Sequence, residues 1–596
     1  MTRSDQDVSS ADASTHIRSE RGYIWRERHE KFPDYLSAYD ATDFSPFEAR
    51  LLAGRGIGPD DAAAYLSPKI KNHMPDPSTL ADMDKAVSAI WAAIDADKHI
   101  AIFAVYDVDG ASSAAQLIRW GRAIGSEFGL YVPDRVKEGY GPSIAAFESL
   151  KSDGVDTIIT VDCGAAAEGP LKAAQGLGLD IIVVDHHQMG ADLPPCLALV
   201  NPNRPDDKSG LGDLAAAGVV FMLLVALNRE GRRRNKDGLP DLTRFLPLTM
   251  LGTICDVVPL KGLNRAITRQ GLGLLPQTEY VGLPALSDVS DRSAPFKASD
   301  MGFGLGPRIN AGGRIGEADM GAKLLTTDEN DIALELADRL NSVNAERQVM
   351  QKHMLEEALA QASQVPDDSP LIISAMEGWH PGIIGIVAGR LKDRFDRPAI
   401  VIGFDHNDIG KGSGRSIDGV DLGRAIMAAR EAGLLASGGG HAMAAGLTVH
   451  REHFANFCGF MEDRLRDDVK RASESQSLLH DGALSVSAIN LKTLDLLGRY
   501  EPFGRSNPSP VFIIEDVSLS YAKRIKGAHV RCSFQDRFGG SFGGICFSAD
   551  EKGLEDILLS PRPPRVDVAC QIKRNEWQGR VSVDVHVQDI RRCIKA

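Results

Sequence analysis

Short β-branched apolar runs alternate with amphipathic stretches from His99 onward, the pattern of a parallel sheet interleaved with helices. The runs are HIAIFAVYD (99–107), DTIITVD (156–162) and DIIVVD (180–185); segments between them, such as EGPLKAAQGLGL, have helical length and period. Residues 331–364 carry a long helical pattern free of Gly and Pro, which reads as a mechanical spacer between two lobes. Val365-Pro366-Asp367-Asp368-Ser369-Pro370 marks a boundary. A second α/β section follows, with strands LIISAM and AIVIGF around the helix IIGIVAGRLKDRF. Past residue 480, five strand patterns (VFIIEDVSLSYAKRIKG, HVRCSFQD, SFGGICF, RVDVACQIK, RVSVDVHVQDI) at regular spacing predict a small barrel. The first 25 or so residues, polar and rich in Ser, Asp and Arg, read as a disordered tail.

The chain has 596 residues, enough for about three to five domains. Its 43% hydrophobic and 25% charged content is that of a folded globular protein. The longest apolar run, Leu214 to Leu227, falls short of the roughly 18 residues a bilayer span needs. No apolar segment of the secretory type stands near the N-terminus, and the eight cysteines include no CxxC pair, so a reducing cytoplasm is expected. A net charge of −14 argues at first against a polyanionic partner. Its distribution changes that: residues 481–596 hold 17 basic and 14 acidic residues, so the acidity lies elsewhere.

Ligands of open parallel sheets bind beyond the carboxyl ends of the strands. Here those ends carry Asp107 and Asp109 (YDVDG), Asp162 (VDCG) and Asp185-His186-His187, with Asp256 after a further apolar run (GTICDVVPL). On extended backbone, Asp107 and Asp109 would point to one side. A single such Asp is most often a cap or turn former. Five carboxylates gathered at one sheet edge repel one another unless a cation sits among them. Five carboxylates and two imidazoles suit two ions about 3.5–4 Å apart, and the oxygen and nitrogen donors fit Mn²⁺ or Mg²⁺ better than thiolate-bound zinc. Cys163 and Cys255 are expected only to pack.

Asp185-His186-His187 is the triplet after which the DHH phosphoesterases are named. YDVDG, VPDRVKEGYG, TVDCG, LVNPNRPD, GTICDVVPL, GPRINAGGR, WHPGIIGIVAGRL, GSGRSI, GGGHAMAAG and EPFGRSNPSPVF, in that order from about residue 75 to the end, resemble the bacterial RecJ single-strand exonucleases. The resemblance implies an α/β chain with an N-terminal tail and lead-in (1–75), a parallel-sheet DHH domain (76–328), a connecting helix (329–365), an α/β DHHA1 domain (366–475) and a β-barrel OB-fold (480–596). It implies 5′→3′ degradation of single-stranded DNA to mononucleotides with two Mn²⁺ or Mg²⁺ ions, in recombination and repair. A helicase and a single-strand-binding protein are candidate partners, and a monomer away from membranes is the expected state. Two positions depart from the family pattern. Ala104 and Val105 stand where G-D is usual before YDVDG, and a carboxylate at 105 would be expected to point toward the site. Ser506 replaces a usual glycine, which should alter only a turn.

The resemblance also distributes roles. Asp107, Asp109, Asp162, His186 and Asp256 would hold the metal, with Asp162 bridging; Asp185 and His187 would complete the site. Gly438 to Gly446, with Gly439 and Gly440, would let backbone approach a phosphate, and His441 would address the scissile group. Ser413 and Arg415 read as a pocket for a terminal 5′-phosphate, while Arg308, Arg314 and Arg135 are further phosphate candidates. His380 stands before a helix where it would either meet phosphate or bond its own turn. On the barrel, Lys523, Arg524, Lys526, His529 and Arg531 with Tyr521 and Phe534 suit single-strand binding by charge and stacking. Two other readings compete: a non-catalytic DNA-binding factor, suggested by Val105, and a small-substrate DHH phosphatase, which would not need the barrel.

Overall fold

The computed structural model describes residues 17–134, 138–139, 141–525, 527–577 and 580–593; the expected tail at 1–16, Arg135 and Lys526 lie outside the described residues. The first domain holds five parallel strands: β1 (Ile100–Ala104), β2 (Phe128–Tyr131), β3 (Thr157–Val161), β4 (Asp180–Val184) and β5 (Ala198–Val200), in the order β2-β1-β3-β4-β5. Side chains alternate between two cores, Ile100, Ile102 and Ala104 on one face and Ala101, Phe103 and Val105 on the other. Both faces are covered by helices, so the strands are apolar throughout. The strand order reverses between β1 and β3, the point where such sheets open a crevice for ligands. Around it stand helices α1 (Val108–Ala123), α2 (Ala216–Arg233) and α3 (Leu246–Cys255). The run Leu214 to Leu227 is mostly α2, buried in this domain, and among the described residues no helix is long and apolar enough to cross a membrane.

Helix α4 (Gly306–Ile315) precedes the connecting helix α5 (Asn330–Ala362), whose 33 residues span about 50 Å. It is more than a spacer. Ala333, Ala337, Leu340 and Val343 belong to the first domain's core, whereas Met354, Ala358 and Ala362 pack with α6 (Ile384–Phe395) of the second. A helix draws its stability from such packing, so each half is anchored in its own lobe.

The second domain's sheet runs β9-β10-β8-β7-β6, from β6 (Ile372–Glu377), β7 (Ala399–Phe404), β8 (Ile409–Arg415), β9 (Ser437–His441) and β10 (Ala444–His450); only β6 and β7 are parallel. The glycine-rich stretch is therefore an antiparallel hairpin, not a loop, with Ala442 and Met443 at its turn. Helix α7 (Leu422–Glu431) lies tightly on β9: a Cβ on Gly423 would come within 2.8 Å of the Gly440 backbone, and one on Gly438 within 2.9 Å of Ile426. Gly439 has nothing within 4 Å of such a Cβ.

The C-terminal strands β11 (Phe512–Ile525), β12 (His529–Gln535), β13 (Ser541–Cys546), β14 (Val566–Trp577) and β15 (Arg580–Arg592) close a barrel in the order β11-β12-β13-β15-β14. The lead-in is folded onto it. Leu51, Leu52 and Tyr65 share the barrel's core, and the strand Ile24–Glu27 pairs in parallel with Ser477–His480. Trp25 Nε1 donates to Asp589 Oδ2 at 2.9 Å, so the expected tail does not extend through residues 17–25.

Candidate metal centre

The chain leaves β1 at Ala104 and enters α1 at Val108, so Asp107 is still extended while Asp109 lies in the helix's first turn, not on extended backbone as the run suggested. Asp107 caps the helix, its Oδ1 accepting from the backbone N–H of Asp109 and Gly110 at 3.1 Å each. Gly110 is obligatory, since a Cβ there would lie 2.4 Å from the Val105 carbonyl. Asp109 is buried in the first turn, where its two oxygens accept from Ala216 N (2.7 Å) and Ala217 N (2.9 Å) at the start of α2. The helix N-terminus there favours its negative charge. Gly252 lets α3 approach, because a Cβ there would meet Asp109 Oδ1 at 2.6 Å.

Asp162 follows β3 in the left-handed region (φ 60°), which Asp tolerates better than most residues. Asp185 follows β4 and is saturated with donors: Ala165 N at 2.9 Å, His186 N at 2.7 Å, His187 N at 3.2 Å and the His187 ring Nδ1 at 2.7 Å. It orients the histidines rather than facing the centre. Asn203 Nδ2 donates to the His186 carbonyl (2.6 Å) and Asn201 Nδ2 to the His187 carbonyl (2.9 Å). Val108 N donates to Asn310 Oδ1 at 3.2 Å. These three asparagines were not singled out as site residues, although LVNPNRPD and GPRINAGGR contain them. Their pairing with backbone 14 or more residues away left no local signal.

Asp256 caps the C-terminus of α3, the negative end of the helix dipole, an unfavourable place for a carboxylate without a nearby cation. His186 Nε2 lies 3.2 Å from Asp162 Oδ1, 3.6 Å from Asp256 Oδ2 and 3.8 Å from Asp109 Oδ2. Among the described residues two groups have metal-ligand spacing, Asp162–His186–His187 and Asp109–His186–Asp256, and they share His186. Asp162 Oδ1 and His186 Nε2 are both buried without a hydrogen-bond partner. Buried orphans of this kind are rare and expensive unless an ion or water satisfies them, so the donor set fits a divalent cation.

The electrostatics agree. Burial, then Asp256 and Asp107, push the Asp109 carboxyl well up; burial, then Asp107 and Asp109, do the same to Asp162. Burial and Asp107 raise Asp256 to about 7, against the pull of His187 and Arg505. Burial and the neighbouring His187 charge lower His186 to about 4, leaving a neutral imidazole at neutral pH. The hydrogen bond to Asp185 raises His187 to about 9 despite its burial. Burial alone would raise Asp185, but the His187 side chain and backbone donors outweigh it and hold that carboxyl low.

Val105 does not face the carboxylates. It is wholly buried with Phe103, Ala146, Cys163 and Ala165, so the departure from the family pattern removes no ligand that the structure would place at the centre. Cys163 and Cys255 pack, as expected, and burial pushes both thiols up.

The remaining candidates divide. Arg415 Nη1 donates to Ser413 Oγ (3.1 Å) and to the Gly414 carbonyl (2.8 Å); a Cβ on Gly385, in the first turn of α6, would lie 3.1 Å from Arg415 Nη2. Arg415 has no carboxylate partner among the described residues, and burial lowers its pKa. Arg308 is a brace instead: its nitrogens donate to Asn341 Oδ1 (2.9 Å) and to the carbonyls of Gly304 (2.8 Å) and Val289 (3.1 Å), tying α4 to α5. Arg314 Nη1 donates to the Gly382 carbonyl at 2.7 Å, linking the two lobes. His380 bonds its own turn, its Nδ1 accepting from Gly382 N at 3.1 Å. His441, at the end of β9, is exposed.

On the barrel, Lys523 and Arg531 are exposed and directly opposite, an arrangement that is repulsive without an anion. Arg524 is ion-paired with Glu555, and His529 Nδ1 accepts from Ser548 N at 3.0 Å. Tyr521 is half-exposed, but Phe534 is inside the barrel, stacked on Phe542 at 5.2 Å, because its strand alternation turns it to the core.

Three family models match this chain: "DHH family, N-terminal domain" over residues 99–253, "DHHA1 domain" over 368–467 and "RecJ OB domain" over 480–589. The chain is 34% identical to the single-stranded-DNA-specific exonuclease RecJ of Bacillus subtilis, covering 91% of this chain and 68% of that protein. It is 31% identical to the Escherichia coli protein of the same name, covering 92% and 96%. The crystal structure of RecJ in complex with Mn²⁺ from Thermus thermophilus superimposes with a TM-score of 0.78 at 27% identity, over 98% of this chain and 80% of that one. A structure of exonuclease RecJ bound to manganese gives 0.56 at 33% identity, over 66% and 97%. Motifs, domain order, closed barrel and near full-length identity converge, and the chain belongs to the RecJ family.

Proposed function

We propose that this chain is a single-stranded-DNA-specific exonuclease that works 5′→3′ with two Mn²⁺ or Mg²⁺ ions, in recombination and repair. The orphaned Asp162 Oδ1–His186 Nε2 pair among buried acids is the observation that carries the reading. Asp109, Asp162, His186 and Asp256 would hold the ions. Asp162, nearest to His186, would be the carboxylate that the two ions share. Asp107 adds negative charge while capping α1. When bound, the ions supply Lewis acidity at the phosphodiester and acidify an attacking water.

The protein's own groups position the strand. Asp185 and Asn201 fix His187 so that its ring can donate to a phosphate oxygen. Arg415, Ser413 and the first turn of α6 form an anion pocket that supports recognition of a terminal 5′-phosphate and hence the direction. The open backbone at Gly439 and the exposed His441 suit approach of a phosphate. Tyr521, Lys523 and Arg531 suit stacking and charge contacts with single-stranded DNA on the barrel. Kinship supports the rest of the reading: a monomer in the cytoplasm, assisted by a helicase and a single-strand-binding protein.

The test is Mn²⁺-dependent release of mononucleotides from 5′- and 3′-labelled single strands by the wild type and by His186→Ala. The expected result is early release of the 5′ label only, by the wild type, abolished by a chelator and by His186→Ala. No release by the wild type would favour the non-catalytic factor, and release only from dinucleotides the small-substrate phosphatase.

A further inference from the structure

A groove of about 1530 Å³ runs between the first domain and the barrel. One wall contains Ile254, Cys255 and Val257, which flank the metal-centre residue Asp256, and the opposite wall contains Lys573 of β14. Six Lys or Arg line it against three Asp or Glu, the reverse of the whole chain's −14. Lys297 and Arg505 have no ion pair among the described residues, and Lys573 Nζ donates to Ser509 Oγ at 3.1 Å. Burial lowers the Lys573 ammonium; Glu501 works against this, and Lys297, from the other domain, adds to it. Such a groove is complementary to a chain of phosphates.

Phe303 stands in this groove with 81% of its surface exposed. A single exposed aromatic needs no explanation by itself. This one sits on a wide π-helical turn (Met301–Leu305), a local irregularity common at functional sites, and the turn is clamped to the end of α3. Cys255 Sγ lies 3.7 Å from the Met301 carbonyl, and a Cβ on Gly306 would approach that sulfur to 2.5 Å. Next to it Val257, also exposed, adopts φ 57°, a conformation unfavourable for a β-branched residue. Arg505 Nη1 reaches the Val257 carbonyl at 3.4 Å. The fold thus holds an aromatic ring open to solvent, fixed to the segment carrying Asp256, in a groove lined by more cations than acids.

We propose that Phe303 is a base-stacking platform that seats one nucleotide of the single strand beside the metal centre, with Lys297, Arg505 and Lys573 contacting neighbouring phosphates. The proposal rests on the nucleic-acid reading above and adds a residue that sets the strand's register at the centre. Stacking on one aromatic side chain is sequence-tolerant, which suits an enzyme that must accept every base.

The test uses the full chain in the presence of a chelator, so that binding is read without cleavage. Fluorescence anisotropy would measure the affinity for short single strands carrying one abasic site, moved stepwise from the 5′ end. Wild type should show one position where losing the base weakens binding by about 5- to 150-fold, the range for base–aromatic stacking. Phe303→Ala should flatten that position alone, and Phe303→Trp should retain it. Because the side chain is solvent-exposed, Phe303→Ala removes no core packing. An unchanged position profile in Phe303→Ala overturns this proposal alone; no strand binding by the wild type overturns it together with the nucleic-acid reading.

Discussion

His186 Nε2 and Asp162 Oδ1 lie 3.2 Å apart, buried, and neither has a hydrogen-bond partner. Around them the backbone is held by donors that leave these two lone pairs free: Asn203 on the His186 carbonyl, and the β4 carbonyl of Val184 accepting from Asp162 N at 3.0 Å. The fold maintains this repulsive arrangement because α2, α3 and the β1–β3 crevice converge on it.

The metal-free chain should lose stability as pH rises from about 6.5 to 8.5. Asp109, Asp162 and Asp256 have folded pKa values raised above the unfolded carboxylate value, so the stability they contribute is present at low pH and lost as pH climbs through the folded values. His187, raised to about 9, acts in the same direction over this window. His186, lowered to about 4, loses its contribution only on the acid side, below its unfolded value of 6.5. Thermal unfolding with a chelator and with Mn²⁺ checks this: the Tm gain on adding metal should be larger at pH 8.5 than at 6.5. An equal gain at both pH values would count against a carboxylate-rich centre.

Asp256→Asn should make the metal-free protein more stable and the enzyme worse. It removes a half-buried charge from the negative end of α3, which should raise Tm at pH 8 by about 2–4 °C for each kcal/mol of repulsion relieved. Mononucleotide release should fall by more than about 100-fold, beyond the range usual for groups that only support a ligand. Paired melting and activity measurements separate this from simple misfolding, which would lower both.

Asn203→Ala should lower apparent Mn²⁺ affinity by about 10–100-fold while leaving the fold intact. Its amide holds the His186 carbonyl and also donates to the Gly212 carbonyl at 3.1 Å, so its loss loosens the ligand without removing it. Activity should recover at high Mn²⁺, and a titration of rate against metal concentration would show the shift.

Arg415→Ala should erase the advantage of a 5′-phosphorylated strand over a 5′-hydroxyl strand. A charge-assisted hydrogen bond contributes about 1.5–3 kcal/mol, so the ratio of kcat/KM for the two strands should drop by about 10- to 150-fold. An unchanged ratio would show that the pocket beside Ser413 does not read the terminus.

Ser506→Gly should be mildly stabilising. Ser506 has φ 62°, where an L side chain is strained by about 1–2 kcal/mol, while glycine adds about 0.5–1 kcal/mol of chain entropy to the unfolded state. The small positive difference should appear as a rise in Tm with activity unchanged.

Much of this was legible in the chain itself. The β-branched runs ending in Asp or Asp-His-His located β1, β3 and β4 together with the candidate ligands beyond them, because a buried parallel strand must be apolar throughout and its chemistry can only stand at its end. Five alternating segments after residue 480 foretold the barrel for a similar reason. The short strands β2 and β5 were missed, since three or four residues carry too little pattern to separate from a loop.

Residue type and spacing were enough to nominate Asp107, Asp109, Asp162, His186 and Asp256 as candidate ligands, because so many acids close to one sheet edge repel one another without a cation. They could not say that Asp107 caps a helix, that Arg308 braces two helices while Arg415 stays without a carboxylate, that Phe534 is core, or that Phe303 is open to solvent. Each of those depends on which distant segment lies opposite: Asn341 for Arg308, Phe542 for Phe534, the end of α3 for the turn bearing Phe303. Local sequence sets backbone preference and chemical inventory; a side chain's partners, and therefore its charge state and role, are set by long-range packing.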